Sequence, residues 1–110
     1  NPEYVNFEFD SCWATEVGVD TIALMERLGE RMKLYHINDR GTRMSGPGGQ
    51  ILKSDSMELG YGNMNLTKMV DIAQKNGVDA VILESHKNWV DKSTVKSFQL
   101  NAKFMNEYVV

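Results

Sequence analysis

The segment "KLYHINDRG" (residues 33–41) decides how the chain folds. Its apolar and aromatic residues, with the methionine before them, have the composition of a buried strand, which we predict over residues 32–37. The strand carries His36 near its end and is followed at once by the polar run "NDRG". Ionisable side chains are therefore concentrated where this strand ends. If the neighbouring strands also end in such residues, the strand ends can form a functional site.

Two further strands are predicted, one on each side in the sequence. Residues 4–9 ("YVNFEF") alternate at period two and predict a strand that ends at Asp10. Residues 80–83 ("AVIL") are a short apolar run that ends at Glu84. Each of the three predicted strands thus has, at or next to its end, a residue that can bind a metal ion.

Helices are predicted between and after these strands. Asp20 and Asn65 stand at the N-caps of the first two, and Gly29 and Gly77 end them. The apolar residues at helical spacing are Ile22, Met25 and Leu28, then Leu66, Met69, Val70 and Ala73, and in the last helix Val95, Phe98, Ala102, Met105 and Val109. The order strand–helix, three times over with short turns, favours an α/β fold with parallel strands and right-handed crossovers.

One connection is long. About two dozen residues separate Ile37 from Asn65, include "SGPGGQ", and show no clear periodicity; loops of that length are usually functional or disordered. We expect residues 42–57 to be the most mobile part of the chain, or to pack against another subunit. Because the loop follows a strand, on the side where α/β proteins keep their sites, a lid is one role for it.

The candidate ligands at the three strand ends can come together in one site. Side chains alternate between the two faces of a strand, so His36 shares a face with Met32 and Leu34, and Glu84 shares one with Ala80 and Ile82. If the strands are parallel neighbours, Asp10, His36 and Glu84 converge at the carboxyl-terminal edge of the sheet. A mixed carboxylate and imidazole set suits a divalent ion such as Mn²⁺, Mg²⁺, Co²⁺ or Zn²⁺.

The composition narrows the classes of function. The 110 residues are 42% hydrophobic and 25% charged, as in an ordinary globular domain, and no apolar run is long enough for a membrane helix. The net charge is −3 and the basic residues form no runs, which argues against a nucleic-acid partner. The single cysteine, Cys12, fits a reducing compartment, and we expect a cytoplasmic protein. We expect Cys12 to be a packed small residue.

The chain resembles a known family along nearly its whole length. The segments "FEFDSCWATEVGVDTIALMERLGERMKLYHINDRG" (residues 7–41), "ELGYGNMNL" (58–66) and "VILESH" (81–86) look, in their order and spacing, like the closing portion of the sugar phosphate isomerase/epimerase family. That family has the xylose isomerase-like TIM barrel. The resemblance implies a partial (β/α)8 barrel, about three C-terminal βα units, so that residues 1–110 are a C-terminal fragment of such a barrel.

The resemblance also implies roles for individual residues. Asp10, His36 and Glu84 correspond to three of four metal ligands, and the fourth, a glutamate, would lie upstream of Asn1, so the metal site is incomplete here. Glu84 would also be one acid/base of a catalytic pair. The family's lysine in His-x-Lys-Asp is Asn38 in this chain.

The substrate would meet side chains around these ligands. Trp13 stands where several epimerases use a histidine, so contact there would be stacking. Arg40 or Arg43 could meet a substrate hydroxyl or phosphate, or be solvated loop residues, and His86 could line the cleft or lie on the surface. Asp39 could support the site or hold the loop, and Glu58 with the neighbouring glycines would shape the segment before the helix.

The function implied is a metal-dependent sugar or sugar phosphate isomerase/epimerase. It would transfer a proton next to a carbonyl, through an enediolate, with the 110-residue fragment alone inactive. An inosose dehydratase-like lyase shares the proton abstraction, and a non-catalytic barrel remnant that binds a ligand is a third reading. An abasic-site endonuclease would need a histidine-rich site and a basic face, which two histidines and the net charge do not provide.

Three strands cannot close a barrel. The edges at residues 4–9 and 80–84 would be unpaired, and the face carrying Met32, Leu34, Ala80 and Ile82 would be open. We therefore expect a homo-oligomer that covers these surfaces.

Overall fold

The computed structural model describes Asn1 and residues 3–44 and 51–110, and for residues 43, 44 and 51–53 it describes the backbone alone. Its strands are β1 (Phe7–Asp10), β2 (Met32–Ile37), β3 (Asp39–Met44), β4 (Ile51–Met57) and β5 (Ala80–Leu83). Its helices are α1 (Ser11–Glu16), α2 (Thr21–Leu28), α3 (Leu66–Asn76) and α4 (Thr94–Tyr108), with short 3₁₀ turns at Gly29–Arg31 and Val90–Lys92. None of the helices in these ranges is long and apolar enough to cross a membrane.

The central feature is a parallel sheet of three strands in the order β1-β2-β5. This confirms the predicted α/β class, the strand neighbours and their direction. The bounds of β2 and β5 are those predicted, whereas β1 begins at Phe7 rather than at residue 4. Tyr4 and Val5 lie in and after a turn closed by bonds to the Asn1 carbonyl, and both are exposed.

The helices follow their predicted caps. The Asp20 side chain accepts from the Ala23 N–H at the start of α2, and the Asn65 side chain accepts from the Lys68 N–H at the start of α3. Gly77 ends α3 in the left-handed conformation, with φ +72°. Such N-caps satisfy backbone donors that have no partner within the helix.

The core lies between the helices and one face of the sheet. Tyr35 and Ile37 of β2 are fully buried there, and the same cluster contains Met25, Ala73 and Phe104 from α2, α3 and α4. The Tyr35 hydroxyl is hydrogen-bonded to Ser11 Oγ at 3.0 Å, so this buried polar atom has a partner. Burial raises the pKa of Tyr35 far above its usual range.

The prediction that Met32 lies on the open face with Leu34 is wrong. Met32 is fully buried in the core, because the register of β1 against β2 shifts between Phe7 and Glu8. Phe7 pairs with Met32, but the next residue, Glu8, pairs with Leu34. The additional residue in β2 breaks the alternation of faces at this point.

The long connection is not devoid of regular structure. Strands β3 and β4 form an antiparallel hairpin that starts one residue after β2, with Asp39 opposite Met57 and Met44 opposite Ile51. Residues 45–50, the middle part of the segment 42–57 that is predicted to be mobile, lie outside the described residues. The prediction of mobility therefore stays a prediction.

Candidate metal centre

The three strand ends meet at the carboxyl-terminal edge of the parallel sheet. In the register of the sheet, Asp10 stands beside His36, and Glu84 follows the last residue of β5. One ligating atom from each residue lies within 4.8 Å of the other two. His36 Nδ1 is 3.8 Å from Asp10 Oδ2 and 3.9 Å from Glu84 Oε2, so one nitrogen faces both carboxylates.

Asp10 has a divided role. Its Oδ1 accepts from the Trp13 N–H at 2.9 Å and thereby caps α1. Its Oδ2 is buried and accepts no hydrogen bond from any residue that the structure describes. A buried carboxylate oxygen without a donor is costly, and a cation between Asp10, His36 and Glu84 would satisfy it. The donor set therefore fits a divalent metal ion.

Glu84 is surrounded by groups that affect its ionisation. The Asn38 amide donates to Oε2 at 3.2 Å, and His86 Nε2 lies 2.9 Å from Oε1. The pKa of Glu84 is raised, first because its protonated form hydrogen-bonds to Asp10, then by burial and by the charge of Asp10. His86 and His36 act in the opposite direction. Protonated Glu84 would thus donate to the Asp10 carboxylate, whose Oδ2 has no other donor among the described residues.

His36 has a further partner, which the sequence reasoning missed. Its Nε2 lies 2.8 Å from Glu8 Oε1, while Nδ1 faces the two candidate ligands. Glu8 stands two residues before Asp10 and so projects from the same face of β1. This two-residue spacing was the signal in the sequence that could have identified Glu8 as a neighbour of the site.

A cleft opens beside the three candidate ligands. Its walls come from α1, the hairpin and the segment after β5: Cys12, Trp13, Glu16, Asn38, Arg40, Ser54, Asp55, Ser56, His86 and Lys87. Trp13, in α1, has 60% of its surface exposed. Trp13, Arg40 and His86, each predicted to contact substrate, therefore line one cleft, whereas the side chain of Arg43 lies outside the described residues.

The cations of the cleft are paired with acids. Arg40 Nε donates to Glu16 Oε2 at 2.6 Å, and Ser54 Oγ donates to the same oxygen at 3.0 Å. These hydrogen bonds, Arg40 first, lower the pKa of Glu16. Lys87 Nζ is 3.6 Å from Asp55 Oδ1, and Asn88 donates to the other oxygen of Asp55.

Asp39 holds the loop before α3. Its side chain is almost completely buried and accepts from four backbone N–H groups, those of Arg40, Gly60, Gly62 and Met64. A Cβ at Gly62 would lie 2.3 Å from Asp39 Oδ1, which explains the glycine at that position. Of the two roles left open for Asp39, the structure supports the one in the loop.

Glu58 and Cys12 are both packed side chains. Glu58 is buried and accepts from Ser97 Oγ at 2.8 Å, which ties the segment before α3 to α4. Burial, followed by the nearby charge of Asp10, raises the pKa of Cys12 to about 11. A thiol with such a pKa is almost entirely protonated at neutral pH and is a poor nucleophile.

The comparisons with known proteins agree with this geometry at the level of fold. No protein-family model and no curated protein sequence matches the chain. A solved structure of a sugar phosphate isomerase/epimerase from Parabacteroides distasonis is similar, with a TM-score of 0.70 and 23% sequence identity over 96% of this chain. The chain spans 32% of that protein's length, about a third. The likeness confirms the predicted fold, a part of a TIM barrel.

Proposed function

We propose that this chain forms part of the metal site of a sugar isomerase or epimerase with a TIM barrel. The observation that carries the proposal is the convergence of Asp10 Oδ2, His36 Nδ1 and a Glu84 oxygen, with the aspartate oxygen buried and lacking a donor in the part of the chain that the structure describes. A bound divalent ion would supply Lewis-acid polarisation of a substrate carbonyl. The solved structure that shares the fold, itself a sugar phosphate isomerase/epimerase, supports this choice of chemistry.

Glu84 is the proposed proton-transfer residue. Its carboxylate would remove a proton from the carbon next to the carbonyl, the C–H electrons would form the C=C bond of an enediolate, and the carbonyl oxygen would become the oxyanion. Returning a proton to carbon completes isomerisation or epimerisation. A raised pKa brings a glutamate closer to neutral pH, where a general acid/base works best. Asn38 and His86, which contact the two oxygens, would fix the orientation of the carboxylate.

The cleft is suited to a polyol. Trp13 offers an exposed ring on which the apolar face of a sugar can stack, and His86 and Arg40 offer polar groups for hydroxyls. Because Arg40 and Lys87 are engaged by Glu16 and Asp55, a phosphate group would have to displace one of these pairs. A dehydratase would use the same proton abstraction and then expel a hydroxyl, so it remains the second candidate of this site.

Metal binding by the chain gives the direct test. We expect isothermal titration to detect weak Mn²⁺ binding that falls at least about tenfold in Asp10→Asn and in His36→Ala, because each change removes a ligand. Asp20→Asn is a matched control, since Asp20 also caps a helix with a side-chain oxygen but lies away from the site. Equal affinity in Asp10→Asn and Asp20→Asn would contradict the proposal.

The proton-transfer role needs a separate measurement. In the protein with a complete barrel, we expect Mn²⁺-dependent incorporation of solvent deuterium next to the carbonyl of a ketose, and its loss in Glu84→Gln. Deuterium incorporation by Glu84→Gln at the original rate would exclude Glu84 as the base. Incorporation without epimer or isomer product, but with loss of water, would favour the dehydratase. A complete barrel that binds metal and sugar without exchanging the proton would favour the non-catalytic binding module.

A further inference from the structure

A carboxylate outside the candidate ligand set contacts the imidazole of that set. Glu8 Oε1 lies 2.8 Å from His36 Nε2, a hydrogen-bond distance, whereas both ligand carboxylates are 3.8 Å or more from His36 Nδ1. The two nitrogens of one ring are therefore in different surroundings. Nε2 has a close acceptor, and Nδ1 faces the place where a cation would be bound.

The sheet explains how Glu8 reaches the ring. Glu8 pairs with Leu34 and Asp10 pairs with His36, so Glu8 and His36 are diagonal neighbours on the same face of adjacent strands. A glutamate can bridge that diagonal, whereas an aspartate is one methylene shorter. The half-exposed Glu8 side chain has 50% of its surface accessible, and the His36 side chain 27%.

We propose that Glu8 is a positioning residue for the metal centre, which holds the proton of His36 on Nε2 and thereby leaves the Nδ1 lone pair directed at Asp10 and Glu84. The proposal rests on the proposed metal site. A neutral histidine has one N–H and one lone pair, and an acceptor at one nitrogen selects the tautomer that binds metal through the other. Partners of this kind commonly change metal affinity by about 10- to 100-fold when they are removed.

Two substitutions separate hydrogen bonding from charge. Glu8→Gln removes the negative charge but keeps an oxygen that accepts from Nε2–H, and Glu8→Met removes both with little change in length. Glu3→Met is the control for loss of one charge from the same end of the chain, since Glu3 is exposed and its backbone N–H, not its carboxylate, donates to Asn1 Oδ1. All four chains are compared at pH 8.

The first readout needs no metal. In the chain treated with a chelator, ¹⁵N NMR of the His36 ring should show an N–H at Nε2 and a bare Nδ1 in the wild type and in Glu8→Gln. Glu8→Met should show a mixture of tautomers and faster exchange of the ring proton. A proton on Nδ1 in the wild type, or a ring unchanged in Glu8→Met, would overturn the proposal.

The second readout is the affinity for Mn²⁺ alone, by titration calorimetry. We expect Glu8→Met to bind at least about tenfold more weakly, Glu8→Gln to lose about threefold, and Glu3→Met to stay within about twofold of the wild type. Equal losses in Glu8→Gln and Glu8→Met would show that charge alone matters, and would overturn positioning. If the wild type binds no Mn²⁺, the proposed metal function fails, while the NMR result still decides whether Glu8 sets the tautomer.

Discussion

The two faces of the parallel sheet differ in what they bury. On the helix side, Tyr35 and Ile37 are completely enclosed, and the tyrosine hydroxyl has a hydrogen-bond partner. On the other side of the same strands lie Glu8, His36 and Ile82, with polar and ionisable groups at the strand ends and partial exposure throughout. The difference shows that the helix side supplies stability, whereas the open side positions ionisable groups at an energetic cost.

The largest expected effect concerns the open face. Ile82 has 36% of its surface exposed there. In the similar solved structure, the matched part is only 32% of the chain, and the rest of that chain has no counterpart here. The described residues leave this face without cover, so we predict that the 110-residue chain associates with copies of itself. Analytical ultracentrifugation at micromolar concentration should give at least twice the mass of one chain. A monodisperse monomer would refute self-association and would show that the open face tolerates water.

Much of the helix side of the sheet could be predicted from the sequence. Strand β2, the caps Asp20 and Asn65 and the end of α3 at Gly77 all carry strong local signals, which are periodicity, a side-chain acceptor and a left-handed glycine. Parity along the strands also placed Asp10, His36 and Glu84 together, although whether they bind a metal stays a prediction. These signals are local, so a single sequence contains them.

The remaining features depend on contacts that are distant in sequence. The hairpin β3–β4 escaped prediction because its residues are largely polar, without the alternation that a strand with one buried face requires. Helix α1 has only six residues, too few for a periodic pattern. The burial of Met32 follows from a register shift that no local pattern marks, and the choice between two roles for Asp39 required knowing which N–H groups surround it.

The second prediction compares equivalent truncations on the two faces. Ile37→Ala leaves a cavity in a fully enclosed position and should lower the free energy of unfolding by about 2–4 kcal/mol. Ile82→Ala, on the open face, should cost less than about 1 kcal/mol, because its side chain is already partly in water. Urea unfolding measures both at a protein concentration too low for self-association, since self-association would cover Ile82 and make stability depend on concentration. Equal losses would mean that the open face is covered as tightly as the core.

The smallest expected effect is the pH dependence caused by Glu84. Its pKa in the folded chain is raised, mainly by the hydrogen bond of its protonated form to Asp10, so the folded state holds this proton more tightly than the unfolded state does. The resulting stabilisation is complete below the unfolded pKa, about 4.3, and is lost as the pH rises through the higher folded value. Relative to Glu84→Gln, which is neutral at every pH, the metal-free wild type should therefore lose stability as the pH rises from 4 towards neutrality.

Asp10→Asn gives this pH measurement its internal control. The amide oxygen can still cap α1 at the Trp13 N–H, but the negative charge that favours protonated Glu84 is gone. The loss of stability with rising pH, measured by urea unfolding in the presence of a chelator, should therefore shrink in Asp10→Asn. A wild type that gains stability relative to Glu84→Gln over the same range would show that Glu84 is stabilised as a carboxylate. The open face would then favour the charged glutamate even without a metal ion, and the energetic cost assigned to this face would have to come from Asp10 Oδ2 instead.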